Sequence, residues 1–406
     1  MQQKRNTLPS VLLAIISTLG ILVATLITGI LLASTIRIPA KIDSPTIRGE
    51  IFTNYAIISL AVSISIVLVL TFNASLQYLR KKASKPLLPL RRSTKFTLTA
   101  VWFASLIAGY FSSQDPRWYP ALAAITVVSI WLPILLLISL ARAGLPRSTK
   151  QRELGTFTLG VSISPLIIIA LESVLIIIIA LIVFILLGLQ NPLPQQLPQM
   201  LERLSSASGG IEQLEMILLE LMQEPLIAGG VFLALGVVAP MIEEIFKPMA
   251  IWFLLNRPLR DHEGYALGLI SGGAFALLES AGMVIQMEPT DWLTAIVLRA
   301  ATGVLHIGLS GLVGFGLVKG KNIRKPSRGV LFLLLAGALH GAWNSLALYS
   351  GLAAIPTINT PDLYTPNTGT IISIGLMVLI FAGVIVINIF INRYIRRNIS
   401  VSLSPS

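Results

Sequence analysis

Apolar residues in this chain fall into ten long runs separated by short polar segments, not into the alternating pattern of half-buried strands or surface helices. A helix rises about 1.5 Å per residue, so roughly 20 apolar residues cross the hydrocarbon layer of a bilayer. The runs that meet this measure are 12–36, 51–70, 96–111, 119–140, 165–189, 226–255, 265–285, 292–318, 330–349 and 371–391. The third is short. It is required because basic clusters lie before it (Arg80, Lys81, Lys82, Lys85, Arg91, Arg92, Lys95) and after the fourth run (Arg142, Arg147, Lys150, Arg152), and two clusters on one side need an even number of crossings between them. The pattern predicts an all-α polytopic membrane protein of about ten transmembrane helices.

Composition agrees: 54% of the 406 residues are hydrophobic and 12% are charged. Its formal charge of +12 would suggest nucleic acid in a soluble protein. Sorted by membrane side, the excess has another origin. With the N-terminus inside, only Arg37, Lys41, Arg48, Arg117 and Arg203 fall on the outer side and Lys247 and Arg299 within spans, so the rest of the 30 Lys and Arg are cytoplasmic. The positive-inside rule then places the N- and C-termini in the cytoplasm, and the basic loops face anionic lipid rather than nucleic acid. The first run exceeds the 7 to 15 residues of a signal h-region and reads as a retained anchor, in a plasma (cell inner) membrane. The chain has no cysteine, which excludes disulfides, thiolate metal sites and a cysteine nucleophile.

Four segments follow: 1–190 with five helices of unassigned role, an extracytoplasmic linker and amphipathic helix over 191–225, a core of four helices over 226–350, and an outer loop, last helix and tail over 351–406. Within 191–225, Ile211, Leu214, Ile217, Leu218, Leu221 and Met222 recur at helical spacing opposite Glu212, Glu215 and Glu220. Such a helix suits the bilayer surface, or a lid.

The core holds the candidate chemistry. A charge at the bilayer centre costs about 2.5 to 3.5 kcal/mol on insertion scales, which makes such residues functional candidates. Four consecutive spans bring Glu243, Glu244, Lys247, Glu279, Arg299, His306, His340 and Asn344 toward one depth. Residues four apart share a helix face. Glu243 and Lys247 are so related, as are Phe275 and Glu279, and His340 and Asn344, while Arg299 lies two turns from His306. Pro240 and Pro248 bracket the paired carboxylates and predict bends that admit water. Three carboxylates, two imidazoles and an amide can activate water, stabilise an oxyanion or bind a divalent metal. The same residues could form the proton path of a transporter, or a polar network that only joins helices.

The strings EEIFKP (Glu243 to Pro248), FALLES (Phe275 to Ser280), RAATGVLH (Arg299 to His306) and HGAWN (His340 to Asn344) resemble the PrsW family of intramembrane proteases, a family related to the membrane proteases that trim prenylated proteins. The likeness covers about 226–349. It implies peptide-bond hydrolysis in or near the membrane, on a membrane-associated protein such as an anti-sigma factor. By position, Glu243 and Glu244 become the catalytic pair, with Glu279, His306 and His340 completing the site. Asn344 would orient His340, and Lys247, Arg299 and Phe275 would support the site. Zinc or another divalent metal on His306, His340 and Glu279 fits the family's metallopeptidase label, and a metal-free glutamate mechanism stays open. Ser280 stands where the family usually has Asn, so one supporting hydrogen bond is in question. The rival reading is a proton-coupled transporter using the same carboxylates; the oligomeric state is not encoded legibly.

Other protease chemistries fail on the letters. All five aspartates (Asp43, Asp115, Asp261, Asp291, Asp362) lie in loops, which excludes an intramembrane aspartyl dyad, and no HExxH is present. Gly308 to Gly311 reads GLSG, similar to the rhomboid serine motif, yet a Ser310–His340 dyad leaves three carboxylates unexplained. Gly268, Gly272 and Gly273 suit close helix packing. Lys247 is expected to partner Glu243 or Glu244, Arg299 a carboxylate, and His262 is expected to be solvated in a loop. Glu172, alone in the fifth span, is expected to be protonated and hydrogen-bonded.

Overall fold

Ten helical stretches long and apolar enough to cross a membrane are present in the computed structural model, which describes residues 7–37, 45–82, 85–190, 221–354 and 368–403. In chain order the helices are α1 (Leu8–Arg37), α2 (Pro45–Leu79), α3 (Arg92–Ser113), α4 (Tyr119–Ala141), α5 (Lys150–Val161), α6 (Ile163–Gln190), α7 (Pro225–Leu233), α8 (Ala239–Phe246), α9 (Met249–Leu254), α10 (Asp261–Ile285), α11 (Trp292–Asn322), α12 (Pro326–Ala354) and α13 (Thr368–Leu403). No strand occurs among the described residues. The short third run is a full helix of 22 residues. The predicted linker and most of the amphipathic helix lie outside the described residues.

Two compact units emerge: Met1–Pro165 with Lys247–Phe332 and Val384–Ser406, and Leu166–Phe246 with Leu333–Gly383. They are described separately, as the first and second units.

In the first unit the central feature is the antiparallel pair α10 and α11. A Cβ at Gly264 would meet the Gly314 carbonyl, at Gly268 the Ser310 carbonyl, and at Gly272 the His306 carbonyl. Each step of four along α10 is therefore matched by a step of four back along α11. Lipid offers no hydrophobic drive for helix association, so close backbone packing at small residues has to supply it. Ser310 is fully buried in this seam, which is where the GLSG string belongs: packing, not exposure of a nucleophile. Gly273 faces Ile134 and Ile138 of α4, so the expected packing role holds for all three glycines.

α5 is a departure from the sequence reading, which left 150–161 in a basic loop before the fifth span. Thr149 caps it by accepting from the Arg152 amide at 3.4 Å. Although polar, α5 is buried: Arg142 and Glu153 form an ion pair of 2.7 Å at 4% and 3% exposure, and Thr158 bonds Thr71 at 2.8 Å. Hydropathy misses such a helix because it does not register the pairing of Glu153 with Arg142 and of Thr158 with Thr71. His262 is likewise buried in the first turn of α10 rather than solvated. That turn is fixed by Glu263, which accepts from the Arg260 amide at 3.0 Å and from Arg152 at 2.6 Å.

Proline shapes both units. Pro133 lies inside α4 and has no N–H for the Ser129 carbonyl four residues back; the indole N–H of Trp102 donates to that carbonyl at 3.1 Å. In the second unit the sixth span is interrupted by a π-helical turn, Ala234–Val238, just before Pro240 and α8. α8 ends at Phe246, ahead of Pro248.

Candidate active site

The helix seam of the first unit delivers the first cluster. Two turns beyond Gly272, Glu279 comes level with Arg299, and its Oε2 lies 2.7 Å from Arg299 Nη2 and 2.5 Å from His306 Nε2. The expected carboxylate partner of Arg299 is thus Glu279. Arg299 Nε also donates to Ser280 Oγ at 3.3 Å, so the hydroxyl supplies a partner to Arg299 at the position where Asn was expected. On the other ring nitrogen, Lys247 Nζ is 2.9 Å from His306 Nδ1. An ammonium can only donate, so Nδ1 carries the lone pair and Nε2–H donates to Glu279. Phe275 closes the cluster: its ring stands edge-on to His306 at 5.4 Å between centroids, with Lys247 Nζ 4.4 Å above its face. Ser271 Oγ donates to the Lys247 carbonyl and fixes the chain where α8 has ended.

The second unit carries the second cluster on α8 and α12. Here too glycine sets the approach: a Cβ at Gly341 would strike the Gly236 carbonyl, and one at Gly337 would strike Met241 Sδ. His340 Nδ1 lies 3.1 Å from Glu244 Oε1, and its Nε2 lies 3.8 Å from Glu243 Oε2. The first is a hydrogen bond and the second is beyond one. With Glu244 ionised, Nδ1–H donates to it, and Nε2 faces Glu243. The sequence left the adjacent glutamates interchangeable, and their surroundings separate them: the Glu244 side chain is 0% exposed, that of Glu243 12%, and in the first unit that of Glu279 36%.

Asn344 departs from its expected role. Its Nδ2 donates to the Leu235 carbonyl at 3.3 Å, while both nitrogens of His340 face carboxylates. No sequence signal announces that partner, because it depends on the π turn. The Lys247–His306 contact was also not anticipated, since helical spacing pointed Lys247 back along its own helix.

In each unit, then, an imidazole has one nitrogen held by a carboxylate. Metal-binding histidines are commonly fixed in this way, with the free nitrogen as the donor. The donor set, two carboxylates and an imidazole, is of the kind that binds a divalent cation.

No curated protein and no solved structure matches the chain. Residues 204–386, which hold every residue of both clusters, match the family model described as PrsW family intramembrane metalloprotease; that stretch belongs to the family, and the protein is a multi-pass intramembrane peptidase.

Proposed function

We propose that the chain hydrolyses a peptide bond of a membrane-associated protein, with both clusters needed for the reaction, in a plasma membrane with both termini cytoplasmic. The observation that carries the reading is the twofold carboxylate–imidazole pair, Glu279–His306 and Glu244–His340. Support for joining them comes from the family match, which spans both, and from their common depth along the sequence.

A divalent metal, zinc by its N and O donors, would be held by His340 and Glu243 of the second unit, with His306 added by the family resemblance. When bound it supplies an acidified water and polarises the scissile carbonyl. This moves Glu279 out of the ligand set read from the sequence, because its Oε2 already receives Arg299 and His306. Glu279 instead takes the water proton at Oε1 and returns it to the leaving amine; it is the most accessible of the three carboxylates. Arg299 holds it in place. Glu244 and Glu279 keep the imidazoles in the productive tautomers. The Lys247 ammonium occupies the His306 Nδ1 lone pair when no metal does.

The test is cleavage of a membrane-tethered peptide reporter by detergent-purified protein before and after chelation. Loss on chelation and recovery with added zinc supports the reading. Full cleavage after chelation moves the chemistry to glutamate-activated water, with Lys247 as the standing cation.

A further inference from the structure

The sixth span changes hydrogen-bond register immediately before the carboxylates. In its π turn the Ala239 N–H reaches the Ala234 carbonyl, five residues back instead of four. The next donor in that register would be residue 240, which is proline and has no N–H. The Leu235 carbonyl is therefore passed over on both counts. Asn344 fills the gap from α12, donating at 3.3 Å. The helices approach closely there, since Gly236 and Gly341 leave no room for a Cβ on either side. The first unit contains the same device, in which Pro133 frees the Ser129 carbonyl and Trp102 takes it.

A π turn holds one residue more than an α turn, so the helix beyond it is rotated by about 100° relative to an uninterrupted one. Glu243 and Glu244 lie directly beyond it, and His340 lies one turn before Asn344 on the same face of α12. We infer that Asn344 is a positioning residue: by capping the Leu235 carbonyl it holds the π turn that aims Glu243 and Glu244 at His340, and it does not act on the substrate. The inference rests on the peptidase reading above for its kinetic test, and on the fold alone for its stability test.

The experiment is a double-mutant cycle between Asn344 and Pro240. Pro240→Ala restores the missing N–H, so Leu235 no longer depends on α12. Asn344→Ala is expected to lower kcat about 10- to 100-fold, the range for residues that orient a site from behind, with KM little changed. Pro240→Ala in that background is expected to recover most of the loss, and to recover the lost thermal stability in detergent. A double variant as slow as Asn344→Ala, with additive losses of stability, overturns the inference and returns Asn344 to the reacting atoms. Asn344→Asp, equal in size but lacking the N–H, should match Asn344→Ala; an Asn344→Asp protein with wild-type kcat and stability overturns the inference even if Pro240→Ala does not accumulate. Should the wild type cleave nothing, the peptidase reading fails, while the stability cycle still decides the role of Asn344.

Discussion

The Glu279–His306 pair of the first unit and the Glu244–His340 pair of the second are built alike and charged differently. Each stands on two antiparallel helices drawn together by glycine, Gly264, Gly268 and Gly272 in one case and Gly236, Gly337 and Gly341 in the other. Each carboxylate holds one imidazole nitrogen. Around the first pair, however, stand two fixed cations, Arg299 on the carboxylate and Lys247 on the ring. Around the second stands another carboxylate, Glu243. The first cluster thus sets a carboxylate against two cations, and the second sets two carboxylates beside one imidazole. The same local construction thus stands in two different electrostatic settings.

Substitutions that remove this asymmetry should have effects in a set order. Glu243→Gln removes a proposed metal ligand and should lose both bound metal and turnover, the latter by about 10²- to 10⁴-fold or more, read by reporter cleavage and elemental analysis. Glu279→Gln should lose turnover over the same range, about 10²- to 10⁴-fold, while keeping more of its metal than Glu243→Gln, because the proton carrier is removed and His306 loses only its orienting carboxylate. Equal metal loss in the two variants would erase the distinction drawn between the units. Glu244→Gln leaves the lone pair of His340 without its orienting partner, and metal affinity should fall about 10- to 100-fold in equilibrium titrations. Smaller still, Gly268→Ala and Gly341→Ala overpack one seam each and should cost about 1–3 kcal/mol of stability in detergent melts. Their kinetic consequences should differ: Gly341→Ala displaces Glu243 and Glu244 relative to His340, whereas Gly268→Ala loosens a network that Arg299 and Lys247 also hold.

Hydropathy made the ten crossings legible, because length and charge are all a bilayer asks of a span. Depth within each span likewise brought out Glu243, Glu244, Glu279, His306 and His340, since midplane charge is costly wherever it occurs. What stayed hidden depends on pairing across sequence distance. α5 looks like a loop until Arg142 meets Glu153 and Thr71 meets Thr158. Glu243 and Glu244 look equivalent until His340 stands 3.1 Å from Glu244 and 3.8 Å from Glu243. Asn344 looks like a neighbour of His340, as helical spacing requires, until the π turn presents it with the Leu235 carbonyl. Proline marked that place in the sequence, but not which residue would answer it.

The central claim is tested most directly by the metal content of the purified protein, measured by mass spectrometry for wild type beside His340→Ala and Glu279→Gln. The account predicts about one divalent ion per chain in wild type, retained at least in part in Glu279→Gln, and its loss in His340→Ala. A wild type that cleaves its reporter at full rate while carrying no metal would contradict it.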